Sequence, residues 1–161
     1  MKEINEFFVW AKSNNWQLEL STDKKQFPSE ILQRYINIPN EYKIFYAQID
    51  LCANQSNTTW FFSENDFLEA NGENAFAWNS FEKMSLEALA DDDVALQEIT
   101  EFWNLHLPVM YCVGGDYEHY AINITTGAIV NGYQPEFEDV TEVATSFCDF
   151  LDKIIKGEIA V

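Results

Sequence analysis

The segment "VMYCVGGDYEHYAINITTGAIV" (109–130) holds residue types from which a catalytic loop could be built: Gly114, Gly115, Asp116 and His119. An aspartate near a histidine can orient an imidazole for acid–base work, and paired glycines let a backbone approach a substrate. The spacing supports neither use. Acid–base catalysis needs a base held by a third group beside a nucleophile, and no G-x-S-x-G or Cys/His pairing lies nearby. The glycine pair lacks G-x-G-x-x-G spacing and a following helix, and Asp116 and Glu118 repel phosphate. His119 precedes Tyr120 on an alternating run, so it faces away from Tyr120, Ile122 and Ile124, on the face expected to be less buried. His106, just before Leu107-Pro108, reads as the end of a helix, facing its dipole. Asp91-Asp92-Asp93 lacks the alternating ligands, glycine and distal glutamate of a calcium loop. The expectation is a noncatalytic chain with no cofactor and no metal. Gly114-Gly115 then turns a sheet corner through positive φ and displays acidic side chains around it.

Charge narrows the partners. The net charge is −18 over 161 residues. Residues 1–50 carry six Lys/Arg against seven Asp/Glu, whereas 51–161 carry three Lys (Lys83, Lys153, Lys156) against twenty Asp/Glu, a net of −17. Such a field repels nucleic acid and anionic membrane and attracts basic proteins. No apolar run approaches the roughly 20 residues of a membrane span. Acidic residues and a tryptophan interrupt the N-terminal apolar run too early for a signal peptide, so a cytoplasmic protein is expected. Cys52, Cys112 and Cys148 are far apart and form no C-x-x-C pair, which reads as three small buried hydrophobes.

The elements that must position these residues follow from periodicity. With 47% hydrophobic residues the chain has ample material for one core, and no Gly/Pro linker divides it, so 1–161 reads as a single domain. Ile4, Phe7, Phe8 and Ala11 give a helix over 2–13, and Trp16–Leu20 alternates as a strand. Ser21–Gln26 is a polar loop, and Pro28-Ser29-Glu30 opens a short helix through Tyr35. Asn40 is placed to cap a helix bearing Tyr42, Phe45, Tyr46 and Ile49. Short strands follow at Leu51–Ala53 and Thr59–Phe62, and Ser63-x-x-Asp66 has the spacing of a capping box. Residues 71–92 read as a long loop with a short helix at Ser85–Ala90. Asp91–Asp93 starts a helix that runs to about Leu105. Leu107–Val113, Glu118–Ile124 and Ala128–Tyr133 form a meander, with a hairpin at Thr125-Thr126-Gly127. Val140, Val143, Ala144, Phe147, Leu151, Ile154 and Ile155 place a closing helix over Thr141–Lys156. The class is α+β: a twisted antiparallel sheet with a C-terminal β-meander, flanked by helices.

The ordered set "IPNEYKIFYAQID", "WFF", "LPVMYCVGGDYEHYAINITTGAIV" and "VATSFCDFLDKI" resembles the SUKH superfamily, which takes its name partly from the yeast Smi/Knr cell-wall regulators. The resemblance spans Pro39 to Ile155. The chain departs from that pattern in a longer acidic stretch near 71–105 and in the Glu118-His119 pair before Tyr120-Ala121-Ile122. The resemblance implies an α+β fold without a catalytic constellation. It further implies an immunity protein that neutralises a secreted polymorphic toxin, often a nuclease, or alternatively an intracellular Smi/Knr-type regulatory scaffold with no toxin partner. A basic toxin domain would meet an acidic surface formed by Asp91, Asp92, Asp93, Asp116, Glu118, Glu136, Glu138 and Asp139. Tyr117 and Tyr133 would serve as aromatic anchors.

Overall fold

The computed structural model describes residues 2–23, 25–68 and 76–161. The first half runs α1 (Lys2–Ser13), β1 (Gln17–Leu20), α2 (Ser29–Arg34), α3 (Asn40–Tyr46), β2 (Ile49–Ala53), β3 (Thr59–Phe61) and α4 (Glu64–Phe67). The second half runs α5 (Ser80–Ala88), α6 (Asp93–Leu105), β4 (His106–Cys112), β5 (Glu118–Asn123), β6 (Ile129–Tyr133), β7 (Thr141–Ala144) and α7 (Phe147–Lys156). The strands form one seven-stranded sheet in sequential order, and every neighbouring pair is antiparallel. The whole sheet is therefore a meander, of which the sequence showed the C-terminal half.

Helices cover both faces, and strand alternation sorts the side chains between them. Phe61, Met110 and Tyr120 are in register across β3, β4 and β5 and share one face. There Phe61 meets Phe7 of α1 at 5.4 Å, Phe45 of α3 at 5.0 Å and Phe147 of α7 at 6.2 Å between ring centroids, and Tyr120 meets Phe150 at 5.2 Å. The opposite face carries Trp60, Tyr111, His119 and Gly132, again in register. Phe81 of α5 stacks on Tyr111 at 3.9 Å, and Trp103 of α6 lies 4.9 Å from His119. Burial of β4 on both faces explains its unbroken apolar run, Leu107 to Tyr111.

Several expected elements shift. Thr141–Ala144 is not the start of the last helix but the edge strand β7, paired with β6. Helix α7 begins only after Ser146, whose Oγ accepts from Asp149 N at 3.1 Å, while Asp149 Oδ2 accepts from Thr145 N at 2.8 Å. Its end is as expected: Gly157 sits at φ +73° and satisfies the last carbonyls. Asn40 is the first helical residue of α3 rather than its cap, and Ile49 belongs to β2. The helix expected at Ser85–Ala90 lies earlier, at Ser80–Ala88, and the part of the expected loop at 71–75 lies outside the described residues. Ser63 and Asp66 do pair: Ser63 N and Oγ each donate to Asp66 Oδ2 at 2.8 Å.

Among the described residues no helix is long and apolar enough to cross a membrane. All three cysteines are free thiols; Cys52 is fully buried, while Cys112 and Cys148 are half-buried, less than the sequence suggested. Burial pushes the Cys52 thiol up and Cys112 up to about 12, so neither is a thiolate at neutral pH.

Candidate functional site

Asp116 and His119 do not form a site. Asp116 is exposed on the β4–β5 loop. His119 is 0% exposed and packs against Phe81, Phe102 and Trp103, so the expectation that it sits on the less buried face is wrong. His119 and Tyr120 do face opposite ways, but α5 and α6 cover that second face. Desolvation, helped by His106, lowers His119 to about 3, which leaves it neutral. His106 caps α6: its Nδ1 lies 2.8 Å from Phe102 O, in the last turn, and burial lowers its pKa.

The glycine corner is also built differently. Neither Gly114 nor Gly115 has positive φ; among the described glycines that conformation belongs to Gly127 and Gly157. Gly114 permits a close approach: a Cβ there would lie 3.1 Å from Thr58 Oγ1 and 3.2 Å from Thr58 Cβ, so Thr58 would have to give way by a few tenths of an ångström. The corner thus packs onto the β2–β3 turn, where Val113 N donates to Thr58 O at 2.7 Å.

The loop beyond this corner forms one wall of a groove of about 410 Å³. Helix α5 supplies Met84, Ser85 and Ala88, and Leu89 follows them. Tyr117, and Gln134, Pro135 and Phe137 from the β6–β7 connection, complete the lining. Gln134 N donates to Tyr117 O at 2.9 Å, tying the two loops together. Tyr117, Leu89 and Met84 are 39%, 44% and 37% exposed, a cluster of large apolar groups left open to water. Within the lining, Ser85 Oγ donates to Gln134 Oε1 at 3.2 Å, and the shielded Gln134 Nε2 has no hydrogen-bond partner among the described residues.

The structure divides the sequence-predicted acidic surface in two. Asp116 adjoins Tyr117, Glu136 and Glu138 flank Phe137, and Asp91, Asp92 and Asp93 closely follow Leu89, so all six lie in segments that build the groove. Asp139 is exposed one residue farther along. Asp92 has a structural role as well: its Oδ1 accepts from Val94 N at 3.0 Å and Ala95 N at 3.1 Å, capping α6. Glu118 and Tyr133 are paired across β5 and β6 and project to the other side of the sheet, with Tyr120. Glu118 Oε2 accepts from Tyr120 Oη at 3.3 Å and from Asn131 Nδ2 at 3.4 Å, and its charge raises the Tyr133 phenol pKa, with slight burial and Asp116 adding. Tyr117 and Tyr133 therefore cannot anchor one continuous patch.

The residues that sequence reasoning missed are the apolar ones. Met84, Leu89 and Phe137 become a surface only when α5 and the β6–β7 connection meet. No group of three His, Cys, Asp or Glu side chains placed to hold a metal ion occurs among the described residues. Two other clefts are less suited to a partner. One, lined by Lys25, Phe27, Lys43 and Tyr46, has its Lys25 ammonium already engaged by Asp50 and Glu64. The other has Ser29, Glu30 and Asn79 in its lining and is more polar than the groove beside α5. No protein-family model matches this chain, and no curated protein matches it in sequence.

Proposed function

We propose that the chain is a noncatalytic protein-binding module of the cytoplasm, an immunity-type protein that neutralises a basic toxin domain such as a nuclease. The observation that carries this reading is the apolar groove bordered by carboxylate-bearing segments on the half of the chain with net charge −17. Apolar groups at the centre with charge around them is the anatomy of a protein interface, in which buried anchors hold the complex and rim charges guide it. A nuclease presents a basic cleft to phosphate, and an acidic surface can occupy that cleft and exclude the substrate. The SUKH resemblance supports the same assignment from the sequence side.

Co-expression with a toxin domain encoded beside this gene tests the proposal. The expected outcome is restored growth and a complex that survives size-exclusion chromatography. Absence of both protection and complex removes the immunity reading.

A further inference from the structure

We infer that the groove between α5 and the β6–β7 connection receives an arginine side chain of the basic partner. This rests on the reading of the acidic half as a docking surface, and it names which chemical group docks and where.

An arginine has two parts: a flexible three-carbon stem that prefers apolar surroundings, and a planar, weakly hydrated cation that stacks on aromatic rings and pairs with carboxylates. The groove offers a complement to each. Met84, Ala88 and Leu89 form an apolar wall for the stem. Tyr117 lines the same space, with Asp116 beside it in sequence and Glu136 between the lining residues Pro135 and Phe137. A volume of about 410 Å³ accommodates such a side chain with part of its backbone.

The Tyr117 ring is held in place before any partner arrives. It lies 8° from parallel to Phe81 at 6.0 Å, and Phe81 is itself stacked on Tyr111 at 3.9 Å. Phe76 meets Tyr117 edge-on at 5.3 Å. A platform fixed in this way loses little conformational freedom on binding. Lysine, a compact and strongly hydrated point charge, gains less from a ring face than arginine does. Three of the chain's own cations are already committed elsewhere. Arg34 is held by Glu82, while Lys153 and Lys156 are held by Val143 O, Asp149 and Asp152 at α7, on the opposite face.

The test is an NMR titration of the ¹⁵N-labelled full chain with hexa-arginine and hexa-lysine peptides, which carry equal charge, at low salt. Hexa-arginine is expected to shift the amides of Leu89, Tyr117 and Phe137 and to bind several-fold tighter than hexa-lysine. Tyr117→Ala should weaken hexa-arginine about tenfold and leave hexa-lysine within about twofold. Tyr117→Phe, which keeps the ring and its packing, should bind like the wild type. Equal affinity for the two peptides, with shifts spread over the acidic face, overturns the inference; so does a Tyr117→Phe variant as weak as Tyr117→Ala. The two readings fail separately. If toxin protection persists in Tyr117→Ala and arginine has no preference, the groove assignment falls and the immunity reading stands. If hexa-arginine seats in the groove and no toxin is neutralised, the reverse holds.

Discussion

His119 shows how much a single position depends on what lies across a sheet. Both ring nitrogens are buried without a hydrogen-bond partner among the described residues, at about 1–3 kcal/mol for each unsatisfied polar group. A charged ring there would cost far more, so the imidazole stays neutral. Gly132 makes room for it: a Cβ at that position would lie 2.6 Å from His119 Cε1 and 2.9 Å from Val140 Cγ1. The alternation of "EHYAIN" told correctly that His119 and Tyr120 face opposite ways. It could not tell that the second face is covered, because that depends on Phe81, Phe102 and Trp103 arriving from distant helices. A pH dependence follows. An unfolded histidine takes up a proton near 6.5 and the folded one only at about 3, so between those values the unfolded chain binds the extra proton. Stability from this site is complete above pH 6.5 and falls as pH falls, by up to about 1.4 kcal/mol per pH unit. Urea midpoints measured from pH 7 to pH 4 should therefore drop more steeply in the wild type than in His119→Leu, which has nothing to titrate there. Parallel curves would mean that the burial of His119 does not couple to stability.

At the scale of elements, the last helix shows why periodicity alone misplaces boundaries. Val140, Val143, Ala144 and Phe147 fit a helical stripe, and that spacing hid a strand of four residues, T-E-V-A. The correcting signal is present in the sequence: Ser146-x-x-Asp149 has the same capping-box spacing as Ser63-x-x-Asp66 and marks a helix start. The early helices and the central meander were legible because each carries a clean period and a turn residue. The packing of α5 was not, because long-range contacts fix it: Phe81 stacks on Tyr111, and polar groups from two other helices join in. Arg34 of α2, the only arginine in the chain, donates to both Glu82 carboxylate oxygens at 2.7 and 2.8 Å and through Nε to Asn104 Oδ1 at 2.9 Å, and its guanidinium lies 5.7 Å from the Trp78 ring. These contacts join α2, α5 and α6, and α5 forms a wall of the groove. Arg34→Ala should lower stability by about 2–3 kcal/mol, since it strips a largely buried carboxylate of a charge-assisted pair. Arg34→Lys should recover less than half, because an ammonium cannot make the paired contacts to Glu82 and also reach Asn104. Urea unfolding of the two variants checks this, and full recovery by lysine would show that charge alone, without the planar geometry, holds α5.

At the scale of the whole molecule the dominant quantity is the field of the acidic half. The sequence displayed that charge plainly, while the groove it surrounds became visible only in the fold, where Tyr117 and Phe137, twenty positions apart in the chain, line one space with Met84 and Leu89 of a distant segment. The two features act on different steps of association. Rim charges draw a basic partner from a distance and set the association rate, whereas apolar anchors resist separation and set the dissociation rate. The attraction reaches about 8 Å at 0.15 M ionic strength and about 3 Å at 1 M, so it weakens sharply across an accessible salt range. Glu136, Glu138 and Asp139 are exposed and follow one another closely beside the groove, which makes them the patch to reverse. Changing all three to lysine should slow association with the toxin domain by about tenfold and alter dissociation much less. The triple variant should also lose most of the salt dependence that this patch contributes. A stopped-flow salt series on both proteins measures the two rates directly. If wild-type association proves independent of salt, the acidic surface serves solubility alone, and the contact with a partner belongs on the nearly neutral N-terminal third.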